Sequence, residues 1–274
     1  MPENANPSVF IPDAGTAYIY PNTVQATFLR RLNRFGAEVK LEGNTEIVHV
    51  KNTGRLGELL LPEARVTLQK SSNPARKTAY DLISVYHAPL GWVNIDSIVP
   101  NQLMKLYLQA QPYDMVKAEY TWGNSRFDFY MEKGGEKYLR EVKGCTLAWF
   151  HGNAAAGTPT APEAPTNDIP AATEEATNDI PAATEEDVGL FPDAPTERGV
   201  KHLNELALAA EQGYHCSIAF VIQMNGIYKV LPNDQTQPEF GQALRQAAEA
   251  GVEILYYPCR VEADRIELLQ PKQG

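Results

Sequence analysis

Arg126, Asp128, Glu141 and Lys143 lie on two short segments, Ser125–Met131 and Tyr138–Lys143, separated by Glu132-Lys133-Gly134-Gly135-Glu136-Lys137. Folding the chain about Gly134-Gly135 sets each residue i opposite residue 269 − i, so Asp128 meets Glu141 and Arg126 meets Lys143. Side chains directly opposed across two antiparallel strands stand roughly 4.5–5.5 Å apart at Cβ, where like charges repel. The chemistry that makes use of two carboxylates at that spacing is the binding of a divalent cation, with oxygen ligands on both sides. The alternative is an exposed hairpin in which Arg126 and Lys143 neutralise the two acids.

The same register pairs Glu132 with Lys137 and Lys133 with Glu136, two opposite-charge pairs, and Gly-Gly supplies the positive φ that a two-residue turn requires. Phe127 then faces Val142 and Met131 faces Tyr138, which period-two alternation puts on the side away from Asp128 and Glu141. One face is therefore expected to be core and the other a site.

The elements around the hairpin divide the chain. Residues 1–22 read as a tail, without the basic and apolar regions of a secretory signal. Residues 23–96 read as β structure, with strands at Phe35–Leu41, Glu46–Val50, Arg65–Gln69, Ala79–Tyr86 and Gly91–Ile95. Short strands at this spacing predict a small five-stranded barrel, and periodicity does not separate an OB-like from an SH3-like one. Residues 97–274 read as α/β. A helix over Asn101–Ala110 precedes a strand over Met115–Trp122 and the hairpin. A helix capped by Thr196, with the apolar stripe Val200, Leu203, Leu206, Ala207 and Ala210, then leads to the apolar strand Cys216–Ile222. The predicted order is α-β-β-β-α-β.

Inside this region Thr166-Asn167-Asp168-Ile169-Pro170-Ala171-Ala172-Thr173-Glu174-Glu175 recurs at residues 177–186. Residues 152–187 hold eight acids and no Lys or Arg, and their Ala, Thr and Pro content predicts a disordered loop. The loop dominates the net charge of −10: taking its eight acids from the chain's 34 leaves 26 against 24 basic residues. Residues 23–80 carry ten Lys and Arg against five Glu, among them Arg30, Arg31, Arg34, Arg76 and Lys77. A low overall charge therefore leaves a nucleic-acid partner open, with these residues as phosphate contacts. The acidic loop is expected to compete with nucleic acid at low salt. No stretch has the length of a membrane span. Three scattered cysteines, Cys145, Cys216 and Cys259, give neither a zinc pattern nor a disulfide framework, as expected of a cytoplasmic protein. On the helix after the loop, Arg198, Lys201, His202 and Glu205 share a face opposite the apolar stripe, so a basic face for phosphate is expected.

The element order, with Asp on the second strand and Glu141-Val142-Lys143 on the third, resembles the PD-(D/E)XK nuclease superfamily. That resemblance implies Asp128 and Glu141 as ligands of Mg²⁺, or Mn²⁺ in its place. It also implies the backbone carbonyl of Val142 as a further ligand and Lys143 as the catalytic lysine. Phe191-Pro192-Asp193-Ala194-Pro195-Thr196-Glu197-Arg198-Gly199-Val200-Lys201-His202-Leu203, with Asn52-Thr53-Gly54, Asn73-Pro74-Ala75-Arg76-Lys77, Ser125-Arg126-Phe127-Asp128-Phe129 and Glu141-Val142-Lys143, resembles the sugar fermentation stimulation protein family (SfsA). Val50-Lys51 and Gly144-Cys145 depart from that family's usual Cys-Pro and Ser-Val. The resemblance implies an N-terminal OB-fold, a PD-(D/E)XK-like domain, and DNA binding linked to regulation of sugar-utilisation genes. It raises Asn52, Thr53 and Arg126 to nucleic-acid contacts. Two other functions stay open: a Mg²⁺-dependent nuclease acting through Asp128, Glu141 and Lys143, and a degenerate nuclease fold serving as an interaction module.

Overall fold

A computed structural model describes residues 16–150 and 187–273. The duplicated acidic stretch, apart from Asp187, and its expected disorder lie outside the described residues. So does most of the N-terminal segment, but Ala17–Ile19 forms a strand (β1) rather than continuing a tail.

The barrel consists of β2 (Thr23–Asn33), β3 (Gly36–Leu41), β4 (Asn44–Val50), β5 (Arg65–Lys70) and β6 (Tyr80–His87). Antiparallel pairs join β2 to β3, β3 to β4, β2 to β5 and β5 to β6. A parallel pairing of β4 with β6, at His49 opposite Asp81 and Val50 opposite Leu82, closes the ring. A five-stranded Greek-key ring closed in this way is an OB barrel. Phe28, Val39, Val48, Val50, Val66, Leu68 and Leu82 fill it. Two strand assignments change. The first barrel strand is Thr23–Asn33, while Gly91–Asn94 (β7) pairs with β6 outside the ring. Register shifts between Phe28 and Arg30 and between Arg31 and Asn33 interrupt the alternation of β2, which removes the period-two signal from its sequence.

The second unit begins with α1 (Val99–Gln109), whose Pro100 suits the first turn of a helix. Then come β8 (Met115–Trp122), β9 (Ser125–Lys133), β10 (Glu136–Cys145), β11 (Leu147–Trp149), β12 (Val188–Phe191), α2 (Glu197–Glu211) and β13 (His215–Ile222). β14 (Val230–Pro232), α3 (Pro238–Glu249), β15 (Glu253–Val261), β16 (Arg265–Leu268) and β17 (Lys272–Gln273) complete the chain. The main sheet runs β1-β16-β15-β13-β10-β9-β8, with β10, β13 and β15 mutually parallel at its centre. Apolar side chains of α1, chiefly Val99, Leu103 and Met104, pack on one face with Phe129, Val142 and Tyr257. Leu203 and Leu206 of α2 and Phe240 and Leu244 of α3 pack on the other with Leu139, Ile218 and Phe220. As expected, the Thr196 hydroxyl caps α2 by accepting from the Gly199 amide at 3.0 Å, and Gly213 follows the helix at φ +87. β11 and β12 pair antiparallel, with Trp149 opposite Val188, so the chain leaves for the acidic stretch and returns from it at one place.

A buried polar network joins barrel and sheet. Gln223 donates to the carbonyls of Asn94 and Asp96 and to the Asn94 side chain, at 3.2, 3.0 and 2.8 Å. Asn94 donates to the Tyr20 hydroxyl and Tyr20 to Asp96, at 3.0 and 3.2 Å. Lys51 closes an ion pair with Asp96 at 2.6 Å. Every acid, amide and hydroxyl in it has a partner, as low-dielectric surroundings demand. The cysteines are all buried as free thiols.

Candidate functional site

The hairpin register follows the expected rule from Glu136 opposite Lys133 to Arg140 opposite Phe129. The ladder then stops. Asp128 does not pair with Glu141 through the backbone; its carboxylate instead accepts the Val142 amide at 2.7 Å. On the other side, the pairing of β8 with β9 skips Glu119 and Asp128, and Glu119 has φ +56. This irregularity redirects β9. Phe127 packs with the α2 side of the sheet, its ring 5.7 Å from His202, and not on the face of Val142 as alternation predicts. Arg126 consequently lies opposite Thr121 of β8, with Glu119 at 3.7 Å as its ion-pair partner.

The split strand end is where the carboxylates meet. Asp128 accepts from Asn101 of α1 at 2.7 Å as well as from Val142. Glu141 is buried, and its Oε1 takes two bonds, from Lys143 Nζ and His202 Nδ1, each at 2.6 Å. Its Oε2 is buried with no hydrogen-bond partner. Burial, and then the charge of Glu141, push the Asp128 carboxyl above its ordinary range. Burial acts the same way on Glu141, but Lys143 and His202 outweigh it and hold that carboxyl below its ordinary range. Arg198 donates from Nε to His202 Nε2 at 3.3 Å, which fixes the imidazole as the tautomer protonated at Nδ1.

The residues fit a hard divalent cation. A buried carboxylate oxygen without a partner is costly, and it stands beside a second acid whose charge it disfavours. In an extended strand the N–H and C=O of one residue point the same way, so the Val142 carbonyl turns toward Asp128 where the ladder has ended. Two carboxylate groups and a carbonyl are a partial shell, of the kind that Mg²⁺ completes with water and phosphate oxygens. Among the described residues no group of three or more His, Cys, Asp or Glu is placed to hold a metal ion, so such a cation would rest on two carboxylates and the carbonyl.

Sequence reasoning places His202 on a solvated basic face; it is buried at the heart of the site. The buried face of α2 is Gly199, His202, Leu203, Leu206 and Ala209, a helical-period set in which His202 takes a core position. Asn101 was not anticipated, since one Asn in a first helical turn carries no pattern. Lys201 reaches the turn between β8 and β9, donating to the Asn124 carbonyl at 2.7 Å.

The barrel residues divide differently. Arg31 spends all five N–H groups on the carbonyls of Asn33, Gly54, Arg55, Arg34 and Asn52, at 2.6–3.2 Å. It holds loops together and has no donor left for phosphate. Arg30 forms a fork with Glu38, and Arg76 a fork with Asp81. Arg34 donates to the Thr53 carbonyl at 3.2 Å. Asn52 is a turn residue, accepting the Gly54 amide and donating to the Ile95 carbonyl. Thr53 and Lys77 are exposed. Arg30 and Arg76 are thus matched by acids within the barrel, while Arg31 and Arg34 are held by carbonyls.

An OB barrel followed by an α-β-β-β-α-β sheet bearing Asp, Glu and Lys defines a protein of mixed OB and PD-(D/E)XK-like architecture. A family model described as "SfsA N-terminal OB domain" matches residues 29–95, and one described as "Sugar fermentation stimulation protein RE domain" matches residues 98–167 and 181–265. The chain belongs to the sugar fermentation stimulation protein family. A sugar fermentation stimulation protein homolog of Desulfitobacterium hafniense (strain DSM 10664 / DCB-2) is 42% identical over 251 residues, 90% of this chain and 94% of the relative. One from Clostridium botulinum (strain Hall) is 40% identical over 260 residues, 92% and 97% of the two chains. The structure of Pyrococcus furiosus SfsA in complex with Ca²⁺ shares the fold, with TM-score 0.72, 22% identity, and 94% and 97% coverage. No helix among the described residues is long and apolar enough to cross a membrane.

Proposed function

We propose that this chain is a DNA-binding protein whose α/β unit holds a divalent cation against a backbone phosphate. The barrel of residues 23–96 and the α/β unit of residues 97–274 act as its two domains. The observation that carries the reading is the buried Glu141 Oε2, unpartnered beside Asp128. Asp128, Glu141 and the Val142 carbonyl are the ligands, and Mg²⁺ the cation. The P. furiosus relative's complex with Ca²⁺ supports a hard cation in this fold. Such a cation supplies charge against a phosphate oxygen and lowers the pKa of its water. His202 and Lys143 orient Glu141, and Lys143 brings a further positive charge. The reading extends to the regulation of sugar-utilisation genes, with the family's name, sugar fermentation stimulation, in its support. The three buried free thiols accord with work in the cytoplasm.

The second reading, a Mg²⁺- or Mn²⁺-dependent nuclease, is favoured by Lys143 beside Glu141, since a lysine there can orient a water or offset developing charge. The intact Asp, Glu and Lys set speaks against a degenerate interaction module. The test is incubation with single-stranded, duplex and branched DNA, and with RNA, in Mg²⁺, Mn²⁺ or EDTA, beside Glu141→Ala and Lys143→Ala. Metal-dependent binding without cutting supports the first reading. Metal-dependent cutting lost in both variants establishes the nuclease. Failure to bind any nucleic acid overturns both.

A further inference from the structure

Three cavities line up across the molecule. One of about 370 Å³ lies over Arg31, Arg34, Thr53 and Arg55. A second, of about 350 Å³, is walled by Phe35, His49, Lys51, Thr53, Arg76 and Ile98. A third, of about 100 Å³, is bounded by Asn52, Ser97, Gly144, Thr146 and Asp193. Thr53 borders the first two, and Asn52 and Ser97 border the last two. The shared residues make the three cavities neighbours, a run called the trough, and its last member is lined by Gly144, which follows Lys143 in β10.

The middle of the trough is built for a flat apolar group with a polar edge. Phe35 is 52% exposed and Ile98 53%, large apolar groups left uncovered at the mouth of a cavity. The Arg34 guanidinium stands 6.0 Å from the Phe35 ring centre. The far wall is polar and fixed. Asp81 holds Arg76 through two bonds of 2.9 and 2.6 Å and His49 through one of 2.9 Å. Around this cavity Arg76 is matched by Asp81 and Lys51 by Asp96, so it favours a base over a phosphate, and the adjoining cavity with Arg34 and Arg55 is left for the backbone. An aromatic face beside anchored donors and acceptors suits an unpaired base, which stacks on the ring and meets the polar wall with its edge.

We infer that the trough is the path of a single strand of nucleic acid, with one unpaired base stacked on Phe35 and the backbone leading past Asn52 and Thr53 to the carboxylate site. The inference rests on the nucleic-acid reading above and narrows it to strands with unpaired bases. DNA and RNA share that chemistry.

Fluorescence anisotropy of the full chain in Ca²⁺, with labelled oligo-dT, oligo-rU and a blunt DNA duplex, tests it. The expected result is tighter binding of oligo-dT or oligo-rU than of duplex, the two oligomers distinguishing the strand chemistry. Phe35→Ala should weaken the single-strand complex roughly 5- to 150-fold and leave duplex binding unchanged. Phe35→Trp should restore affinity, and its emission should be quenched on binding. Duplex bound as tightly as single strand, or indifference to Phe35→Ala, overturns the path while sparing the nucleic-acid reading. Absence of binding to all three probes overturns both.

Discussion

His202 Nδ1 stands 2.6 Å from Glu141 Oε1, and both side chains are buried. The imidazole thereby fixes which oxygen of Glu141 is occupied and which is left free, as outer partners of metal-binding carboxylates do. His202→Ala should therefore weaken Mn²⁺ or Ca²⁺ binding by about 10- to 100-fold in titration calorimetry. His202→Asn, which keeps a donor, should recover part of it. Equal affinities in all three proteins would remove His202 from the site.

Gly54 and Asp193 fit against each other across the two units. A Cβ on Gly54 would lie 2.1 Å from Asp193 Oδ2. Gly54→Ala should cost about 1–3 kcal/mol, the usual penalty for overpacking. In combination with Asp193→Ala most of that cost should vanish, because the clashing carboxylate is gone. Additive losses in urea melts would show that the two positions are not coupled.

Glu58 and Asp193 both sit above the ordinary carboxyl range, chiefly through burial, with Asp193 contributing to the shift of Glu58. Arg55 faces Asp193 and acts in the opposite direction. A raised native pKa means that the folded state binds more protons than the unfolded one, so stability falls as pH rises from the ordinary range, about 4, through the raised value. Glu58→Gln should melt with wild type below that range and higher than wild type at pH 7. A constant offset at all pH values would assign the effect to packing instead.

Arg31→Lys replaces a five-donor fork by a point charge. The expected outcome is a loss of about 1–3 kcal/mol in denaturant unfolding, with the salt dependence of nucleic-acid binding unaltered. A shallower salt slope in Arg31→Gln, which removes the charge that Arg31→Lys keeps, would return Arg31 to the phosphate contacts.

The hairpin was legible because local chemistry specified it: Gly134 and Gly135 adopt φ +58 and +87, and the flanking charges pair as the turn requires. The break beyond Arg140 and Phe129 was not legible. It falls beside Glu119, a residue without glycine's freedom that holds positive φ on the neighbouring strand, and no sequence pattern marks such a residue. The barrel's existence could be read from its short strands, but its first strand could not, since two register shifts erase the alternation. Asp128, Glu141 and Lys143 were legible as charges with nowhere else to go. The burial of His202 and the five carbonyl bonds of half-buried Arg31 were not legible, because a polar side chain in a helical or strand pattern reads as solvated although saturated hydrogen bonds can hold it against the protein.

The buried thiols carry a consequence of their own. Burial pushes Cys145 and Cys216 up to about 12, and Cys259 upward as well, so none is nucleophilic in the closed protein. Each becomes a clock for the opening of its own strand. Cys145 ends β10, the strand that carries Glu141 and Lys143, and its alkylation by a neutral reagent times how often that strand parts from its neighbours. A cation bound at the carboxylates should slow this clock more than those of Cys216 and Cys259.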